Sequence, residues 1–505
     1  MKISNLLDFD SNLNVSGLTL NSGECGEGFL FIALKGANHH GLNYAKSAIE
    51  KGAIAVLFDN EDAKLAYEIL ADLDVLKIGV SELAKNLGEI SARFYGEPSQ
   101  KMNMIGITGT NGKTSCSQFL AQTLENCGVI GTIGWGKIGE LKQTLNTTPD
   151  ALAVQKMLAA LKNDGCENVI MEVSSHGLAQ GRVNGVKFKG AIFTNFSRDH
   201  LDYHGTMEAY LETKLKLFDA PNLEFAIINL DDEISDKIIA SIPENVEIVG
   251  VTMSEKQSPR GQTLSAENIE LNLSGIQFDT VWQNQKQALH VPLIGKFNLE
   301  NLLCVLATMI VLGVELEESA KRLTHLKSVN GRMERFGGEN NQPLIMVDYA
   351  HTPDALEKVL RSLRSHTLGK LGVVFGCGGN RDKGKRSQMG KVAEQFADWV
   401  IVTDDNPRFE SNEEIVKDIL GGFSSNEANI IHDRATAIRT AIEKANAQDC
   451  VLIAGKGHED YQEINGVKLP FSDAECVKKY WCKHDKNDVK RNYRKFKRHV
   501  DWCKY

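Results

Sequence analysis

Met104-Ile-Gly-Ile-Thr-Gly-Thr-Asn-Gly-Lys-Thr-Ser115 decides how the rest of the chain is read. Ile105 and Ile107 alternate with small residues, as at the end of a buried strand. The turn Gly109-Thr110-Asn111-Gly112 follows. Lys113-Thr114-Ser115 then opens a run with apolar residues at helical spacing, predicted to continue to Asn126 and stop at Gly128. A strand, a glycine turn and a helix that begins Lys-Thr together form a phosphate cradle. Glycines let backbone N–H groups point inward, and the helix N-terminus adds positive potential. Lys113 would neutralise outer phosphates, and the Thr114 hydroxyl would ligate Mg2+. The P-loop pattern is nearly met, with Ile107 at its first glycine position.

At 505 residues the chain should hold roughly three domains. Its 42% hydrophobic content supplies real cores, and a net charge of -9 argues against a general nucleic-acid binder. No apolar run is long enough to span a bilayer, and the acids in the first ten residues disfavour a secretory signal. Ten scattered cysteines with no C-x-x-C pair fit a reducing cytoplasm rather than a zinc or disulfide framework.

Outward from the cradle, residues 1–97 read as a small α/β unit. Its strands are 28–34 and 53–58, with a helix over 44–51 between them. Glu97-Pro98-Ser99 marks the boundary. After the cradle, Thr148 and Pro149 suit the N-cap and first position of a helix over 151–163. Capping leaves Asn146 and Thr147 unexplained. Asn168 to Glu172 is a second buried strand whose terminal carboxylate stands where a P-loop enzyme holds metal or water; the bland alternative is a salt-bridged surface Glu. Gly190 to Phe196 is a third strand, running into a stretch rich in possible ligands that includes His200. Lys214 and Lys216 lie on a helix, where a solvated face is the plain expectation. Leu293 to Asn301 reads as a polar loop entering a helix over 302–312.

A second junction falls near Asn330-Gly-Arg-Met-Glu-Arg335, dividing 98–331 from 332–482. Strands over 372–375, 399–402 and 451–454 each end in a charged loop, and an earlier one, 344–347, ends at Asp348. In open parallel sheets ligands sit beyond the C-terminal strand ends, so these loops are expected to share one crevice. Residues 483–505 form a basic tail without apolar period, expected to be solvated or disordered and given no role.

Six segments in this order resemble the Mur ligase family of ATP-dependent amide ligases. They are 108–114, 172–178, 195–205, 295–301, 348–354 and 455–459. The resemblance runs to about Trp481. It implies an α/β protein of three domains: a UDP-binding domain (1–97), a central P-loop ATPase with a mostly parallel sheet (98–331) and a C-terminal Rossmann-like domain (332–482). It implies a cytoplasmic monomer that extends a UDP-muramoyl dipeptide by one amino acid through an acyl phosphate, in peptidoglycan synthesis, and so serves cell shape and division. ATP is the co-substrate and Mg2+ the cofactor. By resemblance, Lys113, Glu172, His200 and Lys214 are catalytic. Metal would be held by Thr114, Glu172, His200 and a carbamylated Lys214. ATP would meet Gly109, Thr110, Asn111, Gly112, Lys113, Thr114, Ser115, Asn301, Arg335 and Asp348. The nucleotide substrate would meet Ser22, His39, Thr147, Thr148, Ser174, Gln180 and Arg182. Where the family has Asp-Ser-Arg, this chain has Asn21-Ser22-Gly23.

Asp405-Asn406-Pro407-Arg408 is the form found in members that add meso-diaminopimelate, whose distal carboxylate a guanidinium can grip through two hydrogen bonds. Arg381, Gly455 and Glu459 would complete that pocket. Three alternatives compete: lysine as the amino acid, a folylpolyglutamate-type ligase, and a nucleotide-switched binding protein. The last would not need the second small-ligand crevice.

Overall fold

The computed structural model describes residues 1–36, 39–272, 274–338, 342–425 and 428–480. The basic tail, 483–505, lies outside them. By compactness the chain forms two units. One holds Met1–Ser265, Val281–Gln285 and Glu300–Ser319; the other holds Ala266–Thr280, Lys286–Leu299 and the described residues from Ala320 on.

The first unit begins with a four-stranded parallel sheet ordered Gly17–Thr19, Phe29–Ala33, Ala53–Asp59, Leu76–Val80. Alternate residues of a strand face opposite sides. Leu30, Ile32, Ala55 and Leu57 therefore enter one core with Leu6, Leu87 and Ile90, while Phe31, Ala33, Val56 and Phe58 enter another with Leu42, Ala45 and Ala66. Both faces are covered, which is why these strands read as unbroken apolar runs.

A second sheet, of ten strands among the described residues, includes as successive neighbours Glu247–Thr252, Phe225–Asn229, Gly190–Phe193, Asn103–Thr108, Asn168–Glu172, Cys127–Ile130 and Trp135–Lys137, these pairings being parallel except for the last. The cradle strand pairs with Asn168–Glu172 and Gly190–Phe193 rather than with the next strand in sequence. That reversal of strand order is a switch point, where open parallel sheets place their ligand crevice.

Three local expectations are corrected. The cradle helix ends at Thr123, not at Gly128, which lies inside the strand Cys127–Ile130. Asn126 turns the chain at φ 47°, and a Cβ on Gly128 would come within 2.7 Å of Leu161, so that glycine serves packing rather than helix termination. The helix Ala151–Asn163 is capped by Asp150, whose carboxylate accepts from Ala153 N, not by Thr148. The stretch read as a polar loop before Leu302 is helical from Lys296, in the helix Lys296–Val311; Asn298 donates to Ile294 O, and so spends its polarity inside the helix start.

In the second unit a six-stranded sheet is ordered Glu334–Gly337, Leu344–Asp348, Cys450–Ala454, Leu371–Phe375, Trp399–Val402, Asn429–Ile430, with only the first pairing antiparallel. Helices Pro353–His366 and Gly384–Phe396 supply apolar residues to one face and Arg434–Lys444 to the other. A hairpin, Tyr461–Ile464 with Val467–Pro470, follows the last central strand.

His366 joins the helix Pro353–His366 to the segment 266–299. Its Nε2 accepts from Gly295 N at 3.0 Å, which leaves Nδ1–H to donate to Asn272 O at 2.8 Å. Only the neutral ring can make both bonds. Burial holds its pKa down, against the Asn272 hydrogen bond. The folded pKa lies below the ordinary value of about 6.5, so the unfolded chain takes up the proton first as pH falls. The resulting stability is present above that value and lost as pH drops through the folded pKa, with a slope of at most about 1.4 kcal/mol per pH unit. Urea unfolding between pH 7 and 5 should therefore show a steeper loss in the native chain than in His366→Gln; equal slopes would remove His366 from the account.

Candidate active site

The cradle is pinned by the end of the neighbouring strand. Thr110 N donates to Asn195 O, Asn111 N to Asn195 Oδ1, and Thr194 Oγ1 to Asn111 O. Gly109 has φ 139°, and a Cβ there would stand 2.0 Å from Thr194 Oγ1. Gly112, at φ 85°, would drive a Cβ to 2.4 Å from Asn301 Oδ1. Only glycine fits either position, and the second places Asn301 beside the cradle. Lys113 folds back over the loop, its Nζ donating to Gly109 O at 2.8 Å and Thr110 O at 2.9 Å. Ser115 lies in the first helical turn.

Glu172 is 1% exposed and is not a surface ion pair. Oε2 accepts from Thr114 Oγ1 at 2.8 Å and Thr132 Oγ1 at 3.0 Å, and Oε1 from Thr132 N at 2.9 Å. Among the described residues no three His, Cys, Asp or Glu side chains form a metal cage. A buried carboxylate beside a threonine hydroxyl at a phosphate cradle is instead the hard-oxygen set that suits Mg2+, which completes its shell with phosphate and water. The residues fit that ion.

Lys214 departs from the solvated-face expectation. It is 1% exposed, its Nζ donates to Gly109 O at 2.8 Å, and it stands 4.5 Å from the Tyr210 ring centroid. Burial, then the Lys113 charge, push its pKa well below the ordinary lysine range. Lys216, two residues on, is exposed. His200 has φ 52° and packs edge-on against His176 at 4.9 Å. Burial lowers its pKa; Asp199 opposes this, while Lys113 and Lys214 add to it. Lys113, Lys214 and His200 thus share one electrostatic environment.

Five expected substrate residues form a connected group. The Thr148 hydroxyl lies 2.9 Å from Glu172 O and 3.0 Å from Ser174 Oγ, and accepts from Ser174 N. Thr147 Oγ1 is 3.0 Å from Thr132 Oγ1. Arg182 Nη1 donates to Thr148 O at 2.7 Å, while Nε and Nη2 both donate to Gln180 Oε1. Because Asp150 does the capping, Thr148 is free to tie this loop to the Glu172 strand. Ser22 and His39 stand apart, on loops leaving the C-terminal ends of two adjacent parallel strands of the first sheet. Asn21 Oδ1 accepts from Gly23 N, and Lys51 Nζ reaches Gly23 O at 3.4 Å.

In the second unit the loops after three parallel strands converge as expected. Asn406 Nδ2 donates to Glu459 Oε2 at 2.9 Å, and Lys456 Nζ donates to both Asn406 Oδ1 and Glu459 Oε2 at 3.0 Å. Asp405 stands 3.7 Å from Lys456 Nζ. A Cβ on Gly455 would meet Asp405 Oδ2 at 2.8 Å, and one on Gly379 would meet Pro407 O at 1.9 Å; both glycines permit close loop contact. Arg408 Nη1 donates to Gly379 O at 2.8 Å. Arg381 is exposed on the neighbouring loop. Asp348 is buried, accepts from Met333 N and Ala350 N, and has its pKa raised by burial against the Arg332 charge. Arg335 turns to Ser274 O and Gly337 O.

Several residues were not singled out from sequence. Arg332 stacks on Tyr349 at 4.6 Å beside Asp348, with its buried Nε lacking a hydrogen-bond partner. Lys456 is fully buried among the pocket acids. Arg434 donates to Asp473 through Nε and Nη2, both at 2.7 Å, with neither side chain exposed, and reaches Ala454 O at the end of a pocket strand. Lys456 sits inside a Gly-Lys-Gly run that could have signalled it; Arg434 and Asp473, on distant segments, gave no local sign.

Family models match along the chain: "Mur ligase family, catalytic domain" at 14–95, "Mur ligase middle domain" at 107–309 and "Mur ligase, glutamate ligase domain" at 331–457. The chain belongs to the Mur ligase family. It is 47% identical over 469 residues to UDP-N-acetylmuramoyl-L-alanyl-D-glutamate–2,6-diaminopimelate ligase of Ectopseudomonas mendocina, covering 92% of this chain and 94% of the relative. The Coxiella burnetii protein of that name is 43% identical, covering 94% and 99%. A solved structure titled as that ligase superposes with TM-score 0.71 at 36% identity, covering 95% of this chain and 98% of the other. MurF ligase from Thermotoga maritima in complex with ADP shares the fold, with TM-score 0.60 at 19% identity, covering 88% and 95%. Among the described residues no helix is long and apolar enough to cross a membrane.

Replacing Thr148 by isosteric valine would remove the hydroxyl from a fully buried site and leave Ser174 N without its acceptor. The expected cost is about 1–3 kcal/mol, read as a shift of the urea midpoint. An unchanged midpoint would show that Thr148 does not tie the loop to the strand.

Proposed function

We propose that this chain is an ATP-dependent ligase that joins meso-2,6-diaminopimelate to UDP-N-acetylmuramoyl-L-alanyl-D-glutamate, in cytoplasmic synthesis of peptidoglycan precursor. The observation that carries the reading is the cluster at parallel strand ends in which Asn406, Lys456 and Glu459 bond one another and Glu463 joins Asn406 to Arg408, in a chain whose near relatives bear that ligase's name.

The terminal carboxylate of the dipeptide attacks the γ-phosphorus of ATP. The bond to the bridging oxygen breaks and ADP leaves, giving an acyl phosphate. The amine of the amino acid then attacks the acyl carbon, inorganic phosphate departs, and the amine proton passes to solvent or phosphate. The protein's part is alignment and charge neutralisation. The cradle N–H groups of 109–114 and the Lys113 ammonium receive the phosphates. Asn301, Asp348 and Arg335 are assigned to the nucleoside, with Arg332 added because it stands beside Asp348. Thr147, Thr148, Ser174, Gln180 and Arg182 orient the muramoyl peptide, and Ser22 and His39 the uridine end. Thr114, Glu172 and His200 would hold Mg2+, which neutralises phosphate charge when bound. Lys214, whose pKa is pushed down by burial and by Lys113, would be the amine that carbamylation modifies; the carbamate would be a further anionic ligand.

The charge inventory of the pocket bears on the amino acid. Asp405 and Glu459 stand against Lys456, Glu463 pairs with Arg408, and Arg434 and Asp473 compensate each other. Diaminopimelate brings a distal carboxylate that lysine lacks, so lysine would leave unmet the Arg408 donors that Glu463 and Gly379 do not hold. A polar group left unmet in this way supports selectivity of order ten-thousand-fold. Phosphate release with ATP, Mg2+ and the UDP-muramoyl dipeptide should depend on diaminopimelate and barely respond to lysine. Arg408→Ala should depress diaminopimelate use most, by about a hundredfold or more in kcat/KM. Equal rates with the two amino acids would overturn the assignment.

A further inference from the structure

Arg408 is held in an unusual way. Its backbone sits at φ 53°, which costs a residue with a Cβ conformational energy that surrounding contacts must supply. Those contacts come from the hairpin. Arg408 N donates to Glu463 O at 3.0 Å, and Asn465 N donates to Arg408 O at 2.7 Å. Glu463 N donates to Asn406 Oδ1 at 3.0 Å. One hairpin residue therefore fixes two pocket residues through its main chain alone. Its carboxylate does something separate: Oε2 accepts from Arg408 Nε at 3.2 Å, with both side chains about four-fifths buried.

A guanidinium has five N–H groups. Nε is held by Glu463 and one Nη1 hydrogen by Gly379 O. A Cβ on Gly378 would stand 2.9 Å from Nη1, so the glycine there lets the group lie close to its own loop. Three N–H groups are left, one on Nη1 and two on Nη2, enough for the two parallel hydrogen bonds a carboxylate accepts.

We propose that Glu463 is a positioning residue for amino-acid selection. It anchors Arg408 by Nε, so that the Nη1–Nη2 edge is presented to the distal carboxylate of the amino acid. This rests on the reading of the pocket as a diaminopimelate site. Glu463 does not touch the reacting atoms; it acts through Arg408. Since its main-chain bonds survive substitution, the side chain can be tested without undocking the hairpin.

The test uses the full chain with ATP, Mg2+ and UDP-muramoyl dipeptide, varying diaminopimelate and following ADP release. The native chain is measured first: if it does not respond to diaminopimelate, the pocket reading itself fails. Given that response, Glu463→Met should raise KM for diaminopimelate about tenfold, the scale of one hydrogen bond to a charged group. KM for ATP and for the dipeptide nucleotide, and kcat, should stay within about twofold by the same reasoning. Glu463→Gln keeps an oxygen for Nε and should recover most of the loss, with a rise of about two- to threefold. In an Arg408→Lys background, which lacks Nε–H, Glu463→Met should add nothing further. If the Met variant fails to fold, Glu463→Gln carries the test in both backgrounds: a rise of about two- to threefold beside Arg408 and none beside Arg408→Lys. Unchanged KM for diaminopimelate in the variants, or a parallel rise in KM for all three substrates, would overturn the proposal.

Discussion

The buried carboxylate of Glu172 is the constraint on which the first unit's site depends. A carboxylate at 1% exposure is costly unless its oxygens are met by donors. The chain meets them from two directions: Thr114 at the helix start, and Thr132 through both its hydroxyl and its N–H. A Cβ on Gly131 would stand 2.1 Å from Oε1, so the 131–132 turn can close only as it does. Through Glu172 O, the Thr148 hydroxyl extends the same construction to the loop that carries Thr147. Helix start, strand end and both loops are thereby held in one arrangement by one side chain.

At the cradle stand two cations that should repel one another. Lys113 and Lys214 both send Nζ to Gly109 O. Two ammoniums on one carbonyl would be expensive, and the fold relieves this by burying Lys214, whose proton is disfavoured. The depressed pKa is therefore a consequence of the cradle's own geometry. The second unit solves a similar problem with opposite means. Its buried Lys456 keeps its partners Asn406, Glu459 and Asp405, and the Arg434–Asp473 pair supports the strand ends beneath them.

Much of this was legible in the sequence, for physical reasons. Buried parallel strands leave apolar runs that end abruptly in charge, so Asn103–Thr108, Asn168–Glu172 and Trp399–Val402 could be placed closely, and the convergence of the later loops followed from sheet topology. Lys-Thr after a glycine turn located the cradle. Burial was harder to see. Lys214 lies on a helix whose polar residues look solvent-facing, and only tertiary packing puts it at 1% exposure while Lys216 stays in water. Thr148 and Asp150 are both good caps two residues apart, and propensity could not choose between them; the competing partner, Glu172 O, is distant in sequence. Arg332 and Arg335 are indistinguishable by composition, yet one stacks on Tyr349 and the other faces Ser274. Glu463 became visible only once the hairpin had been folded against Arg408.

On this reading Glu172, with Thr114, would form the metal-dependent half of the nucleotide site. Calorimetric titration of ADP into the native chain and into Glu172→Gln, with and without Mg2+, tests it most directly. ADP binding without Mg2+ should be similar in the two proteins, and Mg2+ should strengthen it in the native chain but not in the variant. Undiminished strengthening by Mg2+ in Glu172→Gln would contradict it.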